Sequence, residues 1–145
     1  RKCYDSSNVF NLRLFGCFGN QEEKQRLIKS TFSSCMSNLD LNIHQDKYMD
    51  FFYVKDFCKV VKFYIENYNS ELFRDVNLCY GPKKTIKDIV FFIKNLTNNS
   101  KDVIIHNKQI GLSYTGSSSK LQKYNLQLTN LEEGIVECLT EWKKS

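Results

Sequence analysis

Proline, long apolar runs and leader-like segments are nearly absent from this chain. It has one proline in 145 residues, and no run approaches the roughly 20 apolar residues that a membrane-spanning helix requires. The first residues do not lead into the apolar stretch of a signal peptide. Hydrophobic residues still make up 41% of the sequence and aromatic residues 14%, which is a globular composition. We therefore predict one soluble domain over residues 1–145, with no membrane partner.

Paired cysteines and metal-ligand clusters are also missing. No two cysteines form the Cys-x-x-Cys arrangement that binds zinc or exchanges disulfides. His44 and His106 have no carboxylate or cysteine at a ligand spacing, so we predict structural histidines and no metal site. Free thiols in a reducing compartment predict a cytoplasmic protein. The six cysteines are Cys3, Cys17, Cys35, Cys58, Cys79 and Cys138.

Glycine-rich phosphate-binding motifs are missing as well. The six glycines form neither a Gly-x-Gly-x-x-Gly turn after the first predicted strand nor a Gly-x-x-x-x-Gly-Lys-Ser loop. The lysines behind the net charge of +5 are spread over every predicted helix, which favours a solvated surface. We predict no nucleic-acid partner, and the charge remains compatible with a phosphate-bearing small molecule.

Strand-prone and helical segments alternate along the chain. Asp56 is predicted to cap the second helix, Thr85 and Asp88 to form a capping box, and Asn130 to cap the last helix. The alternation predicts an α/β protein. The predicted strands are 8–15, 41–44, 49–54, 73–80 and 102–106, and the predicted helices are 21–37, 56–68, 85–96 and 131–142.

Several stretches have the order and spacing of motifs in one enzyme family. Asn11-Leu-Arg-Leu-Phe-Gly-Cys-Phe-Gly19 resembles Leu-Arg-x-Phe-Asn-x-x-Gly, and Met49-Asp-Phe-Phe-Tyr-Val-Lys-Asp56 resembles Arg-Asp-Phe-x-Tyr-Val-x-Asp. Gly81 followed by the Thr85-Ile-Lys-Asp-Ile89 helix start, and the ending over 112–121 and 130–135, are also similar. These motifs belong to the extended short-chain dehydrogenases/reductases, the NAD-dependent epimerases and dehydratases of sugar nucleotides. The resemblance implies the carboxy-terminal portion of their Rossmann-like fold, with a small substrate lobe.

The resemblance implies that an N-terminal half is missing from this chain. In the family that half binds NAD or NADP and carries a Tyr-x-x-x-Lys pair, whose phenol is made acidic enough to exchange a proton with the sugar. In the family this pair precedes the first of these motifs, whereas the one tyrosine here with a lysine four positions later, Tyr80 with Lys84, follows it. We therefore expect no catalytic residue, no cofactor-binding residue and no activity in this chain alone. Loss of the half would uncover a sheet edge and an apolar face, which predicts self-association, such as a homo-oligomer, or limited stability.

The resemblance also implies a nucleotide-diphosphate-sugar site. Basic residues of the substrate side could meet the phosphates, and aromatic residues could stack on the base, although solvated surface is the alternative for the lysines. Gly16 stands where many members have a substrate-contacting asparagine, and Met49 where many have an arginine, so the usual contacts do not transfer directly. The candidate substrate-binding residues are Gly16, Phe18, Asn20, Arg26, Lys29, Lys47, Met49, Tyr53, Tyr114 and Lys120.

Two other interpretations remain open at this stage. One is a non-catalytic binding or subunit-interaction module derived from the family. The other is an unrelated α/β domain whose positive surface recruits acidic partners.

Overall fold

Helices and strands alternate along residues 9–144, the part of the chain that the computed structural model describes. Cys3 and Asn8, the first residue of the first predicted strand, lie outside the described residues. The strands are β1 (Asn11–Leu14), β2 (Cys17–Phe18), β3 (Leu41–Gln45), β4 (Phe52–Tyr53), β5 (Asp75–Leu78) and β6 (Val103–Asn107). The helices are α1 (Leu27–Met36), α2 (Val54–Glu66), α3 (Ile86–Leu96), α4 (Ser119–Gln122) and α5 (Leu131–Trp142).

The strands lie in parallel pairs. β1 pairs with β5, β2 with β4, and β3 with β6. Parallel neighbours cannot be joined by a tight turn, so each pair needs a longer crossover that usually includes a helix. Here α1 lies between β2 and β4 in the chain, and α2 and α3 lie between β3 and β6. This arrangement confirms the predicted α/β class.

The larger apolar cluster joins α1, α3 and α5 to the β3–β6 pair. The helices contribute Ile28, Ile93 and Ile135, which are all buried. Burying one such side chain contributes about 1.5–3 kcal/mol relative to leaving it exposed. The cluster therefore fixes the last helix of the chain against elements from its first half.

A second apolar cluster lies between α2 and the β1–β5 pair. Val60 and Tyr64 of α2 meet Val76 and Leu78 of β5, where alternate residues point inward. Leu121 of α4 also belongs to this cluster. The sequence did not predict α4, because a helix of four residues carries no apolar periodicity.

The caps of two helices are confirmed. Thr85 Oγ1 accepts a hydrogen bond from the Asp88 amide at 3.1 Å, and the Asp88 carboxylate accepts one from the Thr85 amide at 2.8 Å. Asn130 Oδ1 accepts a hydrogen bond from the Glu133 amide at 3.0 Å. Each interaction satisfies a main-chain donor that the first helical turn leaves without a partner.

The predicted start of the first helix, Gln21, is wrong. Residues 21–26 form turns, and α1 begins at Leu27. The Glu22 amide donates to the Gly19 carbonyl at 3.0 Å, and this turn directs the Glu22 side chain inward. The buried Glu22 carboxylate then accepts a hydrogen bond from the Lys29 amide at 3.2 Å. Glu22, a residue outside the helix, thus caps α1. The N-cap residue itself, Arg26, makes no side-chain hydrogen bond to the first turn.

The predicted role of Asp56 as an N-cap is also wrong. α2 begins at Val54, so Asp56 lies inside the first turn of the helix. Its carboxylate is completely buried, and it accepts hydrogen bonds from the Tyr80 hydroxyl at 2.6 Å and from the Thr129 amide at 2.8 Å. Asp56 therefore ties α2 to the segment that precedes α5.

No helix among residues 9–144 has the length and apolar character to cross a membrane. Cys17, Cys35, Cys58, Cys79 and Cys138 are free cysteines. Within the same described range, no group of three or more histidine, cysteine, aspartate or glutamate side chains could hold a metal ion.

Candidate functional site

Three segments meet beyond the carboxyl end of β1, and we call this place the junction. They are residues 15–16 after β1, residues 46–50 after β3, and residues 110–116. The Tyr114 amide donates to the Tyr48 carbonyl at 2.9 Å, and the Asp50 amide donates to the Tyr114 carbonyl at 3.1 Å. Ligands of open α/β sheets bind outside the carboxyl ends of the strands, so the junction lies where a ligand is expected.

Four of the predicted substrate residues lie at the junction. Met49 forms an isolated parallel β-bridge with Tyr114. The Tyr114 ring is half exposed and contacts the Phe15 ring edge to face, with 5.3 Å between the ring centroids. Gly16 is packed closely, because a Cβ there would lie 3.0 Å from the Asp50 carbonyl oxygen. Lys47 is partly buried, and its carbonyl accepts a hydrogen bond from the Ile86 amide at 3.0 Å.

A partly buried ion pair underlies the junction. Lys83 Nζ lies 2.8 Å from both carboxylate oxygens of Asp50, which is 6% exposed. The Gly116 amide donates to Asp50 Oδ2 at 2.8 Å. The Asp50 carboxylate therefore holds a lysine and an amide that are far away in sequence. Lys83 was not predicted from the sequence, where its only signal is a basic residue directly after Gly81-Pro82.

The outer surface of the junction is apolar. Tyr48, Ile110, Leu112 and Tyr114 are exposed, and Leu112 is 93% exposed. Neighbouring exposed apolar side chains of this kind are typical of a binding or packing surface.

Phe18 and Tyr53 lie in the core, away from the junction. They are at most 2% exposed, and their rings stack on each other with centroids 5.2 Å apart. The Tyr53 hydroxyl donates to Glu137 at 2.9 Å. Burial and this hydrogen bond raise the pKa of Tyr53 to about 12. The prediction that these rings stack on a nucleotide base is wrong for this structure, because both faces are covered by protein.

Asn20 and Arg26 line a separate cleft of about 420 Å³, bordered also by Cys17 and Glu22. Arg26 Nε lies 3.3 Å from the Glu22 carboxylate, and Arg26 Nη2 donates to the Cys17 carbonyl at 3.0 Å. Asn20 accepts a hydrogen bond at its carbonyl from the Trp142 indole at 2.8 Å. The Arg26 charge is thus already paired with a carboxylate.

Lys29 and Lys120 lie elsewhere. Lys29 Nζ is 3.9 Å from the centre of the Trp142 ring, and partial burial lowers the pKa of Lys29. Lys120 Nζ donates to the Asp75 carbonyl at 3.0 Å. Of the ten predicted residues, the structure therefore brings Gly16, Lys47, Met49 and Tyr114 together at the junction, and Asn20 and Arg26 together at the separate cleft.

Comparison with solved structures defines the fold. A GDP-L-fucose synthetase from Naegleria fowleri bound to NADP matches with a TM-score of 0.76 and 18% identity, over 93% of this chain and 45% of that one. A UDP-glucuronic acid 4-epimerase from Bacillus cereus matches with a TM-score of 0.75 and 15% identity, over 94% and 46%. A GDP-mannoheptose C4 reductase from Campylobacter jejuni with NADP bound matches with a TM-score of 0.73 and 16% identity, over 95% and 50%.

This chain has part of the extended short-chain dehydrogenase/reductase fold. It spans about half the length of the solved structures it matches, an extent consistent with the predicted carboxy-terminal portion. No protein-family model and no curated protein matches the sequence.

The described residues of this partial short-chain dehydrogenase/reductase fold do not fit a dinucleotide. Such a cofactor places its diphosphate at an unblocked helix N-terminus after a glycine-rich turn. Here carboxylates lie at those positions: Glu22 caps α1, Asp56 lies in the first turn of α2, and Asp88 caps α3. Glu132 and Glu133 lie in the first turn of α5. Each negative charge would oppose a diphosphate.

Proposed function

We propose that this chain is the substrate-side part of an NAD- or NADP-dependent sugar-nucleotide epimerase, dehydratase or reductase, and that the junction binds a nucleotide diphosphate sugar. The observation that carries the proposal is the position of Gly16, Lys47, Met49 and Tyr114, which meet beyond the carboxyl end of β1 in a fold shared with such enzymes. In this proposal the chain alone performs no catalysis.

The chemistry of the junction suits such a ligand. Lys47 offers a cation for a phosphate, and the half-exposed Tyr114 ring offers a surface for a base or sugar. Lys83 is less suitable as a phosphate ligand, because the Asp50 carboxylate already neutralises it. Of the four basic residues predicted from the sequence, Arg26, Lys29, Lys47 and Lys120, Lys47 is thus the expected phosphate contact.

The N-terminal half would complete the enzyme. β1 pairs only with β5 among the described residues, so its other edge is open to another strand. The apolar surface formed by Tyr48, Ile110, Leu112 and Tyr114 lies at the same end of β1. A second half that carries the cofactor and the catalytic pair could add a strand to this edge and cover part of the surface.

Thermal unfolding with UDP-, GDP-, CDP- and dTDP-sugars tests the proposal, because a ligand that binds only the folded state raises the unfolding midpoint. One nucleotide class should raise the midpoint, and Lys47→Met or Tyr114→Ala should reduce that rise. Lys120→Met is the matched control, because Lys120 lies away from the junction. A rise that Lys120→Met removes and Lys47→Met leaves intact would contradict the proposed site.

A second candidate function is a non-catalytic subunit-interaction module. It is favoured by the replacement of the expected asparagine and arginine by Gly16 and Met49, together with the exposed apolar surface of the junction. Sedimentation of the chain distinguishes the two. The module predicts self-association that Leu112→Asp abolishes, with no change of midpoint on adding any nucleotide sugar.

A further inference from the structure

The structure assigns a positioning role to the Asp50–Lys83 pair: it holds residues 114–116 against residues 48–50 and so orients the Tyr114 ring for the ligand. This inference rests on the proposed function. It adds Lys83, which neither the resemblance nor the sequence pattern singled out, and it gives a role to Asp50, which lies in the matched motif over 49–56. Neither residue of the pair needs to touch the ligand.

Asp50 holds residues 114–116 through both its main chain and its side chain. Its amide donates to the Tyr114 carbonyl at 3.1 Å, and its Oδ2 accepts from the Gly116 amide at 2.8 Å. The Gly116 carbonyl in turn accepts from Cys79 Sγ at 3.3 Å. Residues 114–116 are thus attached to Asp50 on one side and to the end of β5 on the other.

The Asp50 carboxylate in turn depends on Lys83. A carboxylate that is 6% exposed is costly unless it is paired, and Lys83 Nζ lies 2.8 Å from each of its oxygens. Lys83 is itself fixed by a hydrogen bond to the Tyr80 carbonyl at 3.2 Å. Without the ammonium group, the Asp50 side chain is expected to turn toward water and release the Gly116 amide.

The Asp50–Lys83 pair is connected to the ligand surface through Gly116. Tyr114 is only two residues from Gly116, and its ring packs against Phe15 beside Gly16. A Cβ at Gly116 would lie 2.6 Å from the Phe15 ring, so the backbone at Gly116 lies directly on that ring. A shift of Gly116 therefore changes the position of Tyr114 relative to Gly16 and Met49.

Substitutions of two adjacent lysines in the 145-residue chain test the inference. Lys83→Met removes the ammonium group, and Lys83→Arg retains the charge. Lys84→Met is the matched control, because Lys84 pairs with Glu132 at 2.8 Å. Amide hydrogen exchange of Tyr114 and Gly116 is measured by NMR, with the amide of Ile93 in α3 as an internal reference. Affinity is measured by titration with the UDP-, GDP-, CDP- or dTDP-sugar that raises the unfolding midpoint of the unsubstituted chain.

In Lys83→Met, exchange at Tyr114 and Gly116 should accelerate about tenfold, the factor for losing roughly one hydrogen bond, while Ile93 is unchanged. Affinity for the sugar nucleotide should fall about tenfold as well. Lys83→Arg and Lys84→Met should stay close to the unsubstituted chain. If Lys83→Met does not fold, Asp50→Asn is used, because its amide oxygen still accepts a hydrogen bond but forms no ion pair.

Unchanged exchange at Gly116 in Lys83→Met, or equal acceleration in Lys84→Met, would overturn the positioning role. Accelerated exchange with unchanged affinity would overturn the connection to the ligand. Failure of the unsubstituted chain to bind any sugar nucleotide would contradict the proposed function and the connection to the ligand. The exchange rates at Tyr114 and Gly116 would still decide whether the Asp50–Lys83 pair holds residues 114–116.

Discussion

The hydroxyl of Tyr80 donates a hydrogen bond to the buried carboxylate of Asp56 over 2.6 Å. The same hydroxyl accepts a hydrogen bond from the Tyr53 amide at 3.2 Å. The other donors to Asp56 include the amides of Thr129 and Asn130. One side chain of α2 therefore joins the start of its own helix, the end of β5 and the start of α5.

Asp56→Ala should lower the free energy of unfolding by about 3–5 kcal/mol, because it leaves several buried donors without an acceptor. Urea unfolding followed by circular dichroism measures the loss. Asp40→Ala is the control at an exposed position and should change the value by less than about 0.5 kcal/mol. Equal effects of the two substitutions would refute the importance of the Asp56 hydrogen bonds.

The same carboxylate predicts loss of stability in acid. Burial acts to raise the pKa of Asp56, but hydrogen bonds from Tyr80, Thr129 and Lys59 outweigh it and hold the pKa below its ordinary value. The folded pKa lies below the unfolded value of about 3.9, so the stabilisation is present above about pH 4 and is lost as pH falls through the folded pKa.

The urea midpoint should therefore decline below about pH 4, and the decline should be shallower in Asp56→Asn. Glu22 acts in the opposite direction, because burial raises its pKa and acid relieves the cost of the buried charge. The measurement is accordingly made in the Glu22→Gln background as well. An identical acid profile with and without Asp56→Asn would contradict the assignment to Asp56.

Gly134→Ala should destabilise the chain although it lies inside α5. Alanine is favoured over glycine in a helix by about 1 kcal/mol. A Cβ at this position, however, would lie 2.8 Å from Cγ of Tyr53 and 3.0 Å from Cζ of Phe18, and both rings are buried. Overpacking of this kind costs about 1–3 kcal/mol, so the net effect should be a loss.

Thermal unfolding of Gly134→Ala compared with Val136→Ala checks this sign. Val136 lies on the exposed side of the same helix, and its substitution should be nearly neutral. A rise in the unfolding midpoint of Gly134→Ala would mean that the Tyr53 and Phe18 rings can move aside at little cost in stability.

Met49→Arg should strengthen binding of a nucleotide diphosphate sugar at the junction. The substitution introduces the arginine that many members of the resembled family have at this point, and a hydrogen bond to a charged group contributes about 1.5–3 kcal/mol. Isothermal titration with the sugar nucleotide that the unsubstituted chain binds measures the gain. Met49→Leu is the control without a donor and should leave affinity unchanged. Equal affinities of the arginine and leucine variants would argue against a phosphate contact at this position.

Much of the fold could be predicted from local patterns. Thr85 and Asp88 are three residues apart, as are Asn130 and Glu133, and such short spacings fix their hydrogen bonds wherever a helix starts. The start of α1 could not be predicted in this way, because Glu22 caps it from outside the helix through a turn.

The candidate site was predicted in part, through motif resemblance. Gly16, Met49 and Tyr114 were named from the sequence and meet in space. Phe18 and Tyr53 were assigned to the base and lie in the core. Motif position indicates where a residue stands along the chain, but burial of its side chain depends on what packs against it.

The sequence by itself therefore determined the alternation of strands and helices, two helix starts and the order of motifs, because periodicity and short-range hydrogen bonds depend on residues a few positions apart. Only the tertiary structure decided that Asp50 binds Lys83, 33 residues away, and that Asp56 binds Thr129, 73 residues away. The physical reason is that a buried carboxylate must find donors, and which donors reach it depends on how the whole chain packs.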